Sequence, residues 1–516
     1  MSPSWLSKSL LATLLSVTLA NAAFTRPWRG LPPLPKIPVD VHPSVAPDGT
    51  ALPPLTTVYQ FSQLIDHNNK QLGTFQQRYW MNWEFYKTGG PIVLMTPGEA
   101  DGDGYTAYLT NQTMPGMIAQ QQNGATVILE HRFYGNSNPY NNLTSQSLAV
   151  HTVEQAVEDL AYFAKTVNLP MPGGDQVKPN QVPWVLAARS YAGALVSWTR
   201  LKHPDVFYAA YASSAVVEAI TNFYDLFTPI REYMPKNCSA DVEAVIGYLD
   251  TMHASNNKTA LQSLQTTFGL ENLTHIEDFA SALQANMIDW QLLTPTSAGG
   301  MFYQFCDALE VKDGVKAPAS GWGLAHAIQA WGNFWKTTYY SNYCGDSDAE
   351  SCLGTYDPNS SFYTDVSINN TWRSWFWIVC NQLGFLQDGP PAGQPAIVSR
   401  LIQPVYFERQ CVDMFPQKFK TPPTPGVNAI NKNYEGWNIK VDRVFFANGL
   451  RDHWRDATVS ADGLHKANTT MQPIYLTDAF HGSDMIAANA KVDPSVLTVQ
   501  KAGLAHMKTW LSTWSA

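Results

Sequence analysis

The sequence predicts an α/β fold: a mostly parallel sheet covered by helices on both faces and interrupted by a large, mainly helical insertion. Three observations predict it. In the first 220 residues, short apolar runs alternate with segments of helical periodicity, which is the pattern of a sheet buried on both faces. Strand-like runs return after residue 431, so the two ends belong to one sheet. Between them lie longer amphipathic segments and all six cysteines, Cys238, Cys306, Cys344, Cys352, Cys380 and Cys411, as an inserted domain stapled by disulfides would have. The 516 residues exceed the ~250 to 300 at which one hydrophobic core stops growing, which suits a core carrying an insertion.

In chain order, Lys8 precedes the apolar run Leu10 to Leu19 and the small residues Ala20 and Ala22, so residues 1–22 read as a secretory signal peptide. Residues 23–56 are an extended arm or pro-segment: nine prolines fall between 26 and 56, and each fixes φ and removes a backbone donor. The first part of the core spans 57–220. Phe75 to Trp80 alternates as a strand, and Pro91 to Met95, Ala125 to Leu129, Val185 to Ala188 and Tyr208 to Ala212 are short buried strands. Between them, Thr152 to Val167 places its apolar residues at helical spacing. The helical insertion spans 221–430, with segments Ala240 to Met252, Thr259 to Phe268, Ile276 to Met287 and Gly323 to Lys336. The second part of the core, 431–516, supplies strands at Val441 to Ala447 and Gln472 to Leu476 and a closing helix around Ser495 to Trp514.

Charge and cysteine spacing exclude several functions. The formal net charge is −9 and no block of Lys or Arg occurs, so a nucleic-acid surface is not expected. After the leader, no run of ~20 apolar residues could span a bilayer. No C-x-x-C pair offers zinc spacing, and neither a metal nor a cofactor is expected. Eight N-x-S/T sequons, at Asn111, Asn142, Asn237, Asn257, Asn272, Asn359, Asn369 and Asn468, fit a glycoprotein of the secretory route. That route implies an extracellular, vacuolar or lysosomal location, as a monomer or homodimer.

The chemistry centres on Trp184 to Trp198, a strand, a turn at Ser190 and a helix. Ala188, Ala192 and Gly193 flank the serine with small residues, as a nucleophile elbow demands. The helix start then offers free N–H groups to an oxyanion, the Tyr191 N–H among them. Two late strands run into loops carrying Asp452 and His481, 29 residues apart, which completes the chain order serine, acid, histidine of α/β-hydrolases. His481 is then the base for Ser190, and Asp452 fixes its tautomer; Asp456 is the second candidate acid.

The same residues resemble a known family. From about Phe61 onward the chain is similar to the serine peptidases that include lysosomal prolyl carboxypeptidase, dipeptidyl peptidase II and fungal acid prolyl endopeptidases. The shared spellings are Thr74-Phe-x-Gln-Arg-Tyr79, Thr96-Pro-Gly-Glu99, Glu130-His-Arg-x-Tyr-Gly135, Ser190-Tyr-x-Gly-Ala-Leu195, Asn448-Gly-x-x-Asp452-x-Trp-Arg-Asp456 and Phe480-His-x-Ser-Asp484. The resemblance implies an α/β-hydrolase core with a helical cap and cleavage of peptides after proline, often at acidic pH. It also selects Asp452 as the acid and pairs Cys238 with Cys306, Cys344 with Cys352 and Cys380 with Cys411. It places Trp454, Trp375 and Trp377 near a proline pocket, where aromatic walls without polar groups suit a ring that offers no donor.

The chain departs from that family at Ala188 and Arg189, where glycines are usual, at Ala192, at His453 in place of proline, and at Gln382 in place of glutamate. Arg189 is expected either to point into the cleft or, the reading preferred here, to lie across the sheet edge and pair with an acidic residue such as Glu130.

Overall fold

The computed structural model describes residues 36–37, 45–297 and 299–516. The expected signal peptide, and the expected arm before residue 36 and from 38 to 44, lie outside the described residues.

Eight strands form one sheet. In chain order the strands are β1 (Tyr59–Leu64), β2 (Thr74–Asn82), β3 (Ile92–Met95), β4 (Ala125–Leu129), β5 (Trp184–Arg189), β6 (Ala209–Ser213), β7 (Ile220–Asn222), β8 (Val311–Lys312), β9 (Val315–Lys316), β10 (Gly384–Leu386), β11 (Val444–Gly449) and β12 (Ile474–Thr477). The large sheet is ordered β1-β2-β4-β3-β5-β6-β11-β12. It is antiparallel from β1 through β4 and parallel from there on. The parallel strands are apolar on both faces. Val93, Met95, Val185 and Phe445 pack on one side with the closing helix Pro494–Leu511, while Ile92, Leu94, Leu186 and Phe446 pack on the other.

Helix α1 (Met114–Gln122) lies with the closing helix on the first face, and α2 (Val153–Thr166) and α3 (Ser190–Lys202) lie together on the second. Thr152 caps α2 by accepting the Gln155 N–H, which is why the helix starts one residue inside the apolar pattern. At the same end, Gln382 of the insertion accepts the Val153 N–H and donates to Glu154, both at 2.8 Å. An amide suits this place because one side chain must both accept and donate.

Between β6 and β11 the chain makes the insertion, mainly helical, with two small pairings the sequence did not announce, β7 with β10 and β8 with β9. The helix expected to Lys336 ends at Phe334 and continues as a π-helical turn, Trp335–Tyr339. Three disulfides, Cys238–Cys306, Cys344–Cys352 and Cys380–Cys411, all lie in the insertion. Six sequon asparagines are exposed and Asn142 is partly so. Asn237 differs: it is buried, with its amide on the Ala317 carbonyl at 3.4 Å, so the expected glycan there does not fit the folded chain.

Candidate active site

Strand β5 delivers Ser190 at the C-terminal edge of the sheet. Ser190 adopts φ +64°, the left-handed region that a β-carbon disfavours by about 1–3 kcal/mol, and the surrounding packing holds it there. The turn leaves no spare volume. A β-carbon at Gly193 would stand 2.8 Å from the Ser213 carbonyl oxygen, and one at Gly98 would stand 3.1 Å from the Ala192 methyl. Alanine is therefore tolerated at 192 because glycine occupies 98 opposite.

Strands β11 and β12 deliver the other two groups. His481 Nδ1–H donates to Asp452 Oδ1 at 2.8 Å, leaving Nε2 to face Ser190 Oγ at 2.8 Å. Asp452 Oδ1 also accepts the Trp454 N–H at 2.8 Å. Asp456, the second candidate acid, instead accepts the Asp462 N–H and does not meet His481. Burial works against the Asp452 charge, but His481 and the hydrogen bonds hold its carboxyl below the ordinary range. Burial also pulls the His481 pKa below its usual value, Asp452 opposes that, and the Arg189 cation adds to the lowering.

Arg189 corrects the expected partner. Glu130 is already taken, by Arg78 through two guanidinium nitrogens, by Ser137 and by the Gly102 N–H. The Arg189 side chain is instead buried over Gly482, where a β-carbon would meet its Cδ at 2.5 Å. Its charge acts on Glu99, Asp484 and His481. Burial pushes the Glu99 carboxyl up to about 8, with Arg189 opposing. His453, the residue in place of proline, is buried with Nδ1 3.9 Å from Asp452 Oδ1. Burial drives its pKa down to about 3, so it is neutral.

Asp484, quoted above only as part of a motif, acquires a position, as does Ser214, which the quoted motifs do not include. Asp484 is buried and accepts Ser213 Oγ–H at 2.7 Å and Tyr211 O–H at 2.8 Å. Ser214, at φ +44°, accepts the Gly482 N–H. Together they tie the histidine loop to the end of β6. A buried carboxylate that two hydroxyls of a neighbouring strand grip has no local sequence signal.

The aromatic residues surround this centre at different depths. Trp375 packs edge-on to the Tyr191 ring at 5.4 Å. The Tyr191 hydroxyl donates to His131 Nε2 at 3.1 Å, because His131 Nδ1–H is committed to the Arg132 carbonyl. Trp454 packs against Phe223 and Phe385, each at 5.4 Å. Trp377 has its indole N–H on the His151 carbonyl and its ring against Phe415. Trp290, from the insertion, stacks edge-on to Phe480 beside His481. Among the described residues, no group of three or more His, Cys, Asp or Glu side chains is placed to hold a metal.

Comparison with known proteins agrees with this chemistry. The family model described as serine carboxypeptidase S28 matches residues 63–504. The serine protease vicPa of Bipolaris victoriae (strain FI3) is 34% identical, over 92% of this chain and 93% of its own. A probable extracellular serine carboxypeptidase of Arthroderma benhamiae is 33% identical, over 80% of this chain and 60% of its own. The lysosomal Pro-X carboxypeptidase of Mus musculus is 26% identical, over 96% of this chain and 97% of its own. With an α/β-hydrolase sheet and a family match over most of its length, this chain belongs to the S28 family and is a serine-type peptidase.

Proposed function

We propose that this peptidase hydrolyses peptide bonds on the carboxyl side of proline, with Ser190 as nucleophile, His481 as general base and acid, and Asp452 as its orienting carboxylate. The observation that carries the proposal is the continuous line of two 2.8 Å contacts from Asp452 through His481 to Ser190. Ser190 Oγ attacks the scissile carbonyl as its proton passes to His481 Nε2. Asp452 stabilises the imidazolium so formed. The oxyanion meets the Tyr191 N–H, which is free because it lies in the first turn of α3. His481 then protonates the departing amine, and water hydrolyses the acyl-enzyme by the same steps in reverse roles.

The proline preference rests on the aromatic surroundings. Trp375 packs on the ring of Tyr191, the residue after the nucleophile, and Trp454 packs with Phe223 and Phe385 beside the acid, so buried aromatic groups surround the centre, whereas Trp377 serves packing through His151 and Phe415. The name Pro-X carboxypeptidase on a relative that matches nearly end to end supports the same preference. The secretory leader, the disulfides and the sequons support action outside the cell or in a vacuolar or lysosomal lumen.

The products released from a long peptide containing single internal and penultimate prolines test the reading, with a short-chain ester as the comparison substrate. Cleavage after proline, with the ester turned over no faster than a nonspecific nucleophile would achieve, supports it. Rapid ester hydrolysis with intact peptide would reassign the triad to an esterase. The peptide products also separate internal cleavage from trimming at one end.

A further inference from the structure

A cavity of about 750 Å³ lies at the N-terminal edge of the sheet, across the strands from Ser190. It is formed where α3 ends and where the chain enters β11 and β12. We propose that this cavity binds a small, multiply charged oxyanion, a phosphate- or sulfate-bearing molecule, through Arg200, Lys440, Arg443, His465 and Lys466.

The lining is cationic in a chain whose net charge is −9, and Asp442 is the one carboxylate among the lining residues. Arg200 is 3% exposed, and its Nε has no hydrogen-bond partner among the described residues. Burial pushes its guanidinium down to about 10 and Arg443 adds to the depression. Burial likewise lowers Lys466, and Lys440 adds to it. Two pairs of like charges are thus held together in a partly dehydrated space; Asp442 offsets the repulsion at Arg200 and Glu435 that at Lys466 without reversing either depression, and an anion between the cations relieves the remainder. The C-terminal dipole of α3 accounts for one cation there, not for the four Arg and Lys side chains of the lining.

Two of the cations are already aimed. Arg443 Nε donates to the Tyr208 carbonyl at 2.8 Å with its guanidinium 4.3 Å from the Tyr208 ring centre, and Lys466 Nζ donates to the Ile439 carbonyl at 2.9 Å. A planar fork fixed at one nitrogen keeps its remaining donors for an oxyanion. The volume exceeds that of a bare phosphate and falls in the range of sites for small organic ligands, about 300–1,000 Å³.

The test is calorimetric titration of the full secreted chain at constant ionic strength, with inorganic pyrophosphate as the probe and chloride as the control. Glucose 6-phosphate and glucose 6-sulfate, in separate arms, distinguish the two sources of the oxyanion. Saturable binding of one pyrophosphate per chain is expected, weakened at least about tenfold in the Lys440→Gln/His465→Gln double variant. Both of those side chains are exposed, so the variant keeps the fold and its peptidase activity. Arg200→Met should also abolish the response while raising the melting temperature of the anion-free protein, since it removes a repelled charge. No saturable heat beyond chloride, or binding undiminished in the double variant, would overturn the proposal.

Discussion

Gly482 donates its backbone N–H to Ser214 Oγ at 2.9 Å, with both residues in the left-handed region at φ +62° and +44°. That bond joins the residue after His481 to the one after β6, and Asp484 grips Tyr211 and Ser213 two residues further on. The His481 imidazole is therefore aimed by the sheet and not by its own loop. Ser214→Ala removes the acceptor without adding volume, and a displacement of about 1 Å at a catalytic group can cost ~10²-fold in rate. The expected outcome is a kcat lowered at least about tenfold with KM nearly unchanged, since the change acts on proton transfer and not on substrate contacts. Steady-state kinetics on a proline-containing peptide check it, and an unchanged kcat would show that the loop holds itself.

Ser190→Ala should lower activity by about 10³-fold or more and leave the melting temperature close to that of the parent, because only one hydroxyl is lost from the triad. Fluorophosphonate labelling reads the same residue directly. A variant that still labels would move the nucleophile elsewhere.

Burial lowers the His481 pKa against the pull of Asp452, and the Arg189 cation adds to that lowering. The base therefore stays neutral below the ordinary titration range near pH 6.5. The acidic limb of kcat/KM is accordingly expected below pH 6.5. Arg189→Gln removes a charge that disfavours the imidazolium, the pKa rises, and the limb moves upward in pH. A limb that stays in place in the variant would mean that solvent screens Arg189 from the imidazole.

Buried carboxyls make stability depend on pH in the opposite sense to ordinary surface acids. Burial pushes Glu310 up to about 7, with the neighbouring Asp241 acting in the same direction, and burial pushes Asp289 and Asp388 up to about 7 as well. Between their unfolded values near 4 and folded values near 7, the native state binds the extra protons, so stability falls as pH rises through that window. Buried neutral histidines such as His453 act in the opposite sense below their unfolded value near 6.5, so the carboxyl contribution is read from a variant and not from the parent curve alone. Glu310→Gln should raise the melting temperature more at pH 7 than at pH 5, because the amide needs no proton to be neutral. An equal shift at both pH values would contradict it.

Much of this architecture is legible in the sequence, for identifiable reasons. Buried parallel strands such as Ile92–Met95 and Ala125–Leu129 announce themselves as short apolar runs, and α2 carries its cap and its period in the chain itself. The proposed triad is legible because Ser190 follows directly on β5 and Asp452 and His481 lie in the loops that leave β11 and β12. What stays hidden depends on contacts between distant segments. The pairing of Ile220–Asn222 with Gly384–Leu386 joins segments more than 160 residues apart, and neither strand is long enough to show a pattern. That Glu130 does not pair with Arg189 likewise follows from competition: Arg78 takes it, from a strand that pairs beside it. The burial of Asn237 follows from packing against Ala317, which no sequon records.

The order of the strands bears on how the enzyme comes to life. Strand β6 is complete at residue 213, but its neighbour β11 begins only at 444, and His481 follows Ser190 by 291 residues. During synthesis from the N-terminus, the serine emerges long before any base can reach it, and the sheet edge beside β6 stays open while the whole insertion is made. A ribosome-bound or truncated chain therefore carries a hydroxyl without a partner. In this fold the peptidase is disarmed by topology until the histidine loop has been made, a safeguard for the compartment that makes it which requires no inhibitor.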